Sequence, residues 1–154
     1  MKYKLTFFFL LIIIITGFGQ NLNMVIEVND RLVISEISGA YLNFENLNGI
    51  KSRNLVDYHP GELILQPEVF NKINSQLIKK ITLTFDYNTF EGNKHQIENF
   101  GIEMKKYHFN KRYLILKIYD FRERKFRKQY SCLTNEKYIA ELNFPQSGIL
   151  VRCK

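Results

Sequence analysis

Apolar and polar side chains alternate without a break from residue 81 to residue 87. Ile81, Leu83, Phe85 and Tyr87 occupy every second position, and two threonines and an aspartate lie between them. Successive side chains of a β-strand point to opposite faces, so this period of two predicts a strand with one buried and one exposed face. A half-buried strand needs neighbouring strands and a core to cover it.

Short apolar-rich runs separated by turn residues recur along the rest of the chain. In residues 113–121, Leu114, Leu116 and Ile118 share a face and the opposite face is also partly apolar, which is typical of a central strand. Residues 46–60 and 90–99 are polar and are predicted to be loops. Further strands are predicted over residues 24–29, 31–37, 41–44, 62–66, 101–109, 126–133, 138–144 and 149–153.

One helix is predicted, over residues 67–79. Pro67 suits the first helical position, and Val69, Ile73 and Leu77 fall on one face at a period of 3.6 residues. About eight short strands and one short helix predict a mostly β fold, an antiparallel β-sandwich. A small β-barrel with an inserted helix is the alternative.

Residues 1–19 have the three parts of a signal peptide. Two lysines precede an eleven-residue run with a single polar member, and Gly17 and Gly19 place small residues three and one positions before a cut at Gln20. The run is about half the roughly 20 residues that a membrane-spanning helix needs. The sequence therefore predicts an exported protein, periplasmic or secreted. Its mature part is a single β-rich domain, residues 20–154, with no transmembrane span.

Both cysteines lie close to the C-terminus, at Cys132 and Cys153. In an exported protein such a pair predicts a disulfide, because the compartments outside the cytoplasm are oxidising. No Cys-x-x-Cys spacing points to a redox-active pair.

Basic residues are concentrated in one part of the chain. Residues 20–154 contain 20 lysines and arginines against 15 acidic residues, and residues 105–128 alone hold ten basic and two acidic side chains. Two hairpin turns at opposite ends of the 113–121 strand are predicted to carry most of this charge. The predicted binding residues are Lys111, Arg112, Arg122, Arg124, Lys125, Arg127 and Lys128.

A basic surface outside the cytoplasm indicates anionic partners. An anionic polysaccharide, a lipid head group or an acidic protein would each fit, and nucleic acid is disfavoured by the predicted location. The alternative is that these lysines and arginines only keep turns and edge strands soluble.

Catalytic and cofactor motifs are missing from the sequence. The three histidines are 36 and 13 residues apart, without metal-binding spacing, and no nucleophile elbow or phosphate-binding loop is present. Asp57 and His59 are the nearest approach to an acid–base pair. No catalytic residue, metal or cofactor is predicted. The favoured function is a non-catalytic binding domain; the alternatives are a small secreted hydrolase with a loop-built site and a protein inhibitor or immunity-type partner.

Overall fold

Two β-sheets share one hydrophobic core in the computed structural model, which describes residues 20–133 and 136–147. Within these ranges the chain forms ten strands and two α-helices, with two short 3-10 turns at Lys106–Asn110 and Ser131–Leu133. In chain order the elements are β1 (Gln20–Val28), β2 (Arg31–Leu32), β3 (Ile37–Asn46), β4 (Lys51–Leu55), β5 (Asp57–His59), β6 (Gly61–Leu65), α1 (Pro67–Asn74), β7 (Ile78–Glu91), β8 (Lys94–Met104), β9 (Leu114–Asp120), α2 (Arg124–Gln129) and β10 (Tyr138–Asn143).

The six-stranded sheet has the order β10-β9-β1-β6-β5, with β2 also paired to β1, and the four-stranded sheet has the order β4-β3-β7-β8. Every pairing is antiparallel except that of β1 with β9, where Met24 lies opposite Leu114. Parallel neighbours require a crossover, and here the crossover contains the whole four-stranded sheet. Across the described residues neither sheet closes on itself, so the predicted mostly β sandwich is confirmed over its alternative.

The core lies where the alternating pattern predicts it. Ile81, Leu83 and Phe85 of β7 are almost fully buried, and β9 buries Leu114, Leu116 and Ile118 against them from the other sheet. β9 lies between β10 and β1, so it is the central strand that its two partly apolar faces indicate. A second, smaller cluster on the outer side of β9 contains Tyr119, Phe121, Phe126 and Tyr130.

A tight turn joins the two strands that the sequence predicts over residues 24–29 and 31–37. Asn29 and Asp30 join β1 to β2, and both adopt left-handed backbone angles, with φ of 55° and 62°. Asn and Asp tolerate this conformation better than other non-glycine residues, which is why they are common in two-residue hairpin turns. The strand that follows is much shorter than residues 31–37, since β2 ends at Leu32.

Several element boundaries differ from the prediction. The predicted loop over residues 90–99 is the tip of the long β7–β8 hairpin, which turns at Gly92, and the predicted loop over 46–60 contains β4 and β5. The strand predicted over 101–109 ends at Met104. These stretches are polar because they lie at edges or beyond the end of the core, where alternation does not require apolar side chains.

Both helices also depart from expectation. α1 begins at Pro67 as predicted, but Ser75 is extended and the helix ends at Asn74, so Leu77 is exposed. The strand predicted over residues 126–133 is wrong: this segment contains most of α2 and a 3-10 turn. Phe126 and Tyr130 are four residues apart, so a helical turn buries both on one side. Residues 1–19 and 149–153 lie outside the described residues.

Candidate functional site

The predicted basic residues lie in two separate places on the surface. Lys111 and Arg112 precede β9, and Arg122 and the α2 residues follow it. The seven residues of β9 separate the two groups by roughly 20 Å, at about 3.3 Å a residue. Neither group forms the predicted hairpin turn, because a 3-10 turn precedes β9 and α2 follows it. The two groups must therefore be considered as separate surfaces.

Acidic residues pair with several of the cations in residues 105–128. Lys125 Nζ lies 3.1 Å from Asp30 Oδ2 in the β1–β2 turn, and Lys117 Nζ lies 3.1 Å from Glu27 Oε2 on β1. Lys105 pairs with Glu103. The basic run in the sequence is therefore not an equally basic surface in the folded protein.

Arg122 connects the two sheets through its guanidinium. Its Nε donates a hydrogen bond of 2.7 Å to Asp120 Oδ2, and its Nη1 lies 3.2 Å from Glu98 Oε2 on β8. Asp120 is buried, and its Oδ1 accepts the backbone N–H of Arg122 at 2.9 Å. Both carboxylate contacts of Arg122 serve the fold. We therefore do not count Arg122 among the cations that a ligand could meet.

Three cations of α2 remain. Arg124, Arg127 and Lys128 are exposed, and none of them forms an ion pair with another described residue. Their spacing of three and four residues places them side by side on one face of the helix. We call these three residues the α2 basic face. It was partly visible in the sequence as charge, but only the helix brings its members together.

The α2 basic face is held rigidly from beneath. Phe126 lies against Tyr119 with ring centroids 5.1 Å apart, and Tyr130 lies 5.3 Å from Tyr119 and 6.0 Å from Phe121. Tyr130 also donates a hydrogen bond of 3.2 Å from its hydroxyl to Glu141 on β10. The helix is therefore anchored at two positions while its cations point outward.

The group that precedes β9, Lys111 and Arg112, has less charge available for a ligand. Lys111 Nζ lies 4.6 Å from the ring centre of Phe144 and 5.6 Å from that of Tyr107, a cation–π arrangement that occupies the ammonium. Arg112 is exposed, and its backbone carbonyl accepts a hydrogen bond from Asn23. A single free arginine is a weaker candidate surface than the three cations of α2.

A cleft of about 410 Å³ opens beside α2, at the end of the sandwich. It is bounded by the β1–β2 turn, the β7–β8 hairpin and the loop between β9 and α2. Its polar groups largely satisfy one another: Asn29 donates to Glu123 at 2.6 Å and accepts the N–H of Asp120 at 2.8 Å. Burial raises the pKa of the Tyr87 hydroxyl in its lining. These contacts stabilise the end of the sandwich.

The candidate acid–base groups are dispersed. Asp57 and His59 are exposed on the edge strand β5, and His95 is stacked on Phe90 at the hairpin tip. Among the residues that the structure describes, no three His, Cys, Asp or Glu side chains are close enough together to hold a metal ion. The predicted disulfide stays a prediction, because Cys153 lies outside the described residues.

His108 is the buried histidine, and its environment predicts a pH dependence of stability. Burial lowers the pKa of His108, with further lowering by Lys111 and Lys105, and its Nδ1 accepts the N–H of Lys105 at 3.1 Å. The unfolded chain then binds the proton more tightly than the folded chain. We expect the free energy of unfolding to fall as the pH drops below about 6.5, the ordinary value for histidine.

The measurement is urea unfolding at pH 7.5, 6.5 and 5.5, for the parent and for His108→Gln. The variant keeps a hydrogen-bond acceptor but cannot titrate, so its stability should change less over this range. Equal pH dependence in both proteins would show that His108 is not the responsible group.

The comparisons with known proteins give no relative. The chain matches no family model, and no curated protein or solved structure is similar enough to count as a match. Neither helix in the described part of the chain is long and apolar enough to cross a membrane.

Proposed function

We propose that this protein is an exported, non-catalytic domain that binds an anionic polymer through the α2 basic face. The observation that carries the proposal is the set of three exposed cations on one face of α2, without ion pairs to described residues. Export is inferred from the signal-peptide pattern of residues 1–19. The rigid support under α2 adds to the proposal, since a preorganised surface loses little entropy on binding.

The structure reduces the number of charges that a ligand can meet from five to three. Arg122 and Lys125 follow β9 as well, but their charges are already paired with Asp120, Glu98 and Asp30. For a polyanion, each neutralised charge contributes nearly one unit to the slope of log affinity against log salt concentration. Three contacts predict a slope of about −2 to −3, which is roughly a 20- to 60-fold loss of affinity between 50 and 200 mM salt.

Heparin is the first test polyanion, in a salt series with two triple variants of the chain from Gln20 onward. In the test variant, Arg124, Arg127 and Lys128 are replaced by glutamine. In the matched control, Lys79, Lys94 and Lys105 are replaced instead; these exposed lysines lie outside α2, and their replacement removes the same net charge. We expect the control to keep the parental slope and the test variant to lose at least tenfold in affinity, with a much shallower slope.

Equal losses in the two variants would show that only net charge matters, which overturns the proposal. Failure of the parent to bind heparin would overturn it as well. Binding to vesicles that contain anionic lipid but not to heparin would replace the polymer by a lipid surface as the partner. The protein should be isolated from cells that export it, because its intact mass then tests the predicted start at Gln20.

A further inference from the structure

A second candidate site lies on the outer face of the four-stranded sheet, away from α2. A shallow groove of about 440 Å³ runs across β4, β3 and β7. The register of the strands aligns three rows of outward side chains, two of them in the groove and the third along its border. One row contains Lys51, Glu45 and Lys80, the next contains Arg53, Asn43 and Thr82, and the third contains Leu55, Tyr41 and Thr84.

The groove is more basic than acidic. Lys51 and Arg53 form no ion pair with a described residue, and the Arg53 guanidinium carbon lies 3.6 Å from the ring centre of Tyr41. Stacking fixes the guanidinium plane over the ring and leaves its N–H groups at the edge of that plane. The one carboxylate in the lining, Glu45, pairs with Lys79 at 3.7 Å. The groove therefore presents fixed positive charge.

Neutral hydrogen-bonding groups lie beside these cations. Asn43 Nδ2 donates to Thr84 Oγ1 at 2.8 Å, which leaves the amide oxygen of Asn43 and the hydroxyl hydrogen of Thr84 for other partners. Thr82 adds one more hydroxyl group. A ligand that fits this surface carries both negative charge and many hydroxyl groups.

The backbone of β3, in the centre of the groove floor, is already paired. β3 has β4 on one side and β7 on the other, so its N–H and C=O groups are used within the sheet. A peptide that binds by adding a strand needs free backbone groups, and the floor of the groove does not provide them. Recognition must come from the side chains, which favours a sugar over an extended peptide.

We propose that this groove binds an acidic oligosaccharide, with uronate carboxylates at Lys51 and Arg53 and ring hydroxyls at Asn43, Thr82 and Thr84. The site is separate from the α2 basic face and does not depend on it. Charge-assisted hydrogen bonds to carboxylates are about twice as strong as neutral ones, so Lys51 and Arg53 supply most of the affinity.

A galacturonic acid trisaccharide is the probe, and maltotriose is the neutral control. Titration of the chain from Gln20 onward should shift backbone amide signals of β3, β4 and β7 with the acidic sugar and leave them unchanged with maltotriose. Lys51→Gln combined with Arg53→Gln should weaken binding at least tenfold. Lys94→Gln combined with Lys137→Gln removes the same charge from exposed positions outside the groove and should bind like the parent. Unchanged thermal midpoints in both double variants exclude unfolding as the cause.

Binding by the variant that lacks the α2 basic face separates the two proposals. That variant should bind the trisaccharide with the parental affinity, even though its affinity for heparin is at least tenfold lower. No amide shifts with the trisaccharide, shifts confined to α2, or equal binding by the Lys51 and Arg53 double variant would each overturn the groove as a saccharide site. Because heparin also contains uronates, the groove can give the α2 variant weak residual heparin binding, and the α2 proposal is judged by the loss of affinity relative to its matched control.

Discussion

Replacing Phe126 with alanine is expected to lower the free energy of unfolding by about 3 kcal/mol, and to weaken heparin binding as well. Phe126 is 1% exposed and is one of four buried side chains in the small cluster outside β9. Its removal leaves a cavity between Tyr119 and the helix that the neighbouring tyrosines cannot fill. Because Phe126 also anchors α2, the three cations above it would no longer be held on one rigid face.

Urea unfolding provides the measurement, with the midpoint shifting and the slope unchanged if only stability is affected. Phe126→Leu is the control, because leucine keeps an apolar side chain in the cluster and should cost only about 1 kcal/mol. A loss below about 1 kcal/mol for the alanine variant would show that the cluster contributes little, and that α2 is held by other contacts.

The α2 region shows where reasoning from the sequence reaches its limit. A stretch such as residues 126–133, with Phe126 and Tyr130 among polar neighbours, fits a short strand or a single helical turn equally well. The choice depends on Tyr119 and Phe121, which lie on the outer side of β9 and accept both rings on one side of a helix. That tertiary partner cannot be identified from the local pattern.

Strands with a clear period of two were predictable because burial on one face determines the pattern. The alternation in β7 and the two apolar faces of β9 correctly indicate a half-buried and a central strand. Only residues 101–104 of β8 were predicted as strand, since the first residues of β8 extend past the core and are mostly polar. The parallel pairing of β1 with β9 has no local signal, because register and direction are set across 89 residues.

The basic surface, like α2, could be predicted from the sequence only in part. The local excess of lysine and arginine around β9 is visible in the sequence, but pairing with Asp30, Glu27 and Glu98 depends on long-range contacts. In contrast, the groove on the four-stranded sheet has no signal in the sequence. Lys51 and Arg53 lie on β4 and Lys80 lies on β7, and only the register of β3, β4 and β7 brings them together.

Replacing Arg122 with glutamine is expected to destabilise the folded protein by about 2–3 kcal/mol. The substitution leaves the buried carboxylate of Asp120 without its cation, and loss of one partner from a buried pair typically costs about 3–5 kcal/mol. The estimate is lower here, because half of the Arg122 side chain is exposed and water can reach the site. The contact with Glu98 across the two sheets is lost at the same time.

A double-mutant cycle with Asp120→Asn isolates the pair. Asparagine removes the buried charge and keeps an oxygen for the backbone N–H of residue 122, so the double variant should recover more than half of the loss caused by Arg122→Gln alone. A loss below about 0.5 kcal/mol for the single variant would place Arg122 among ordinary surface residues. If Arg122 does stabilise the fold, a variant that removes it with the α2 cations would lose ligand affinity through unfolding. Only replacement of the α2 basic face alone, with Arg122 kept, can then assign binding to α2.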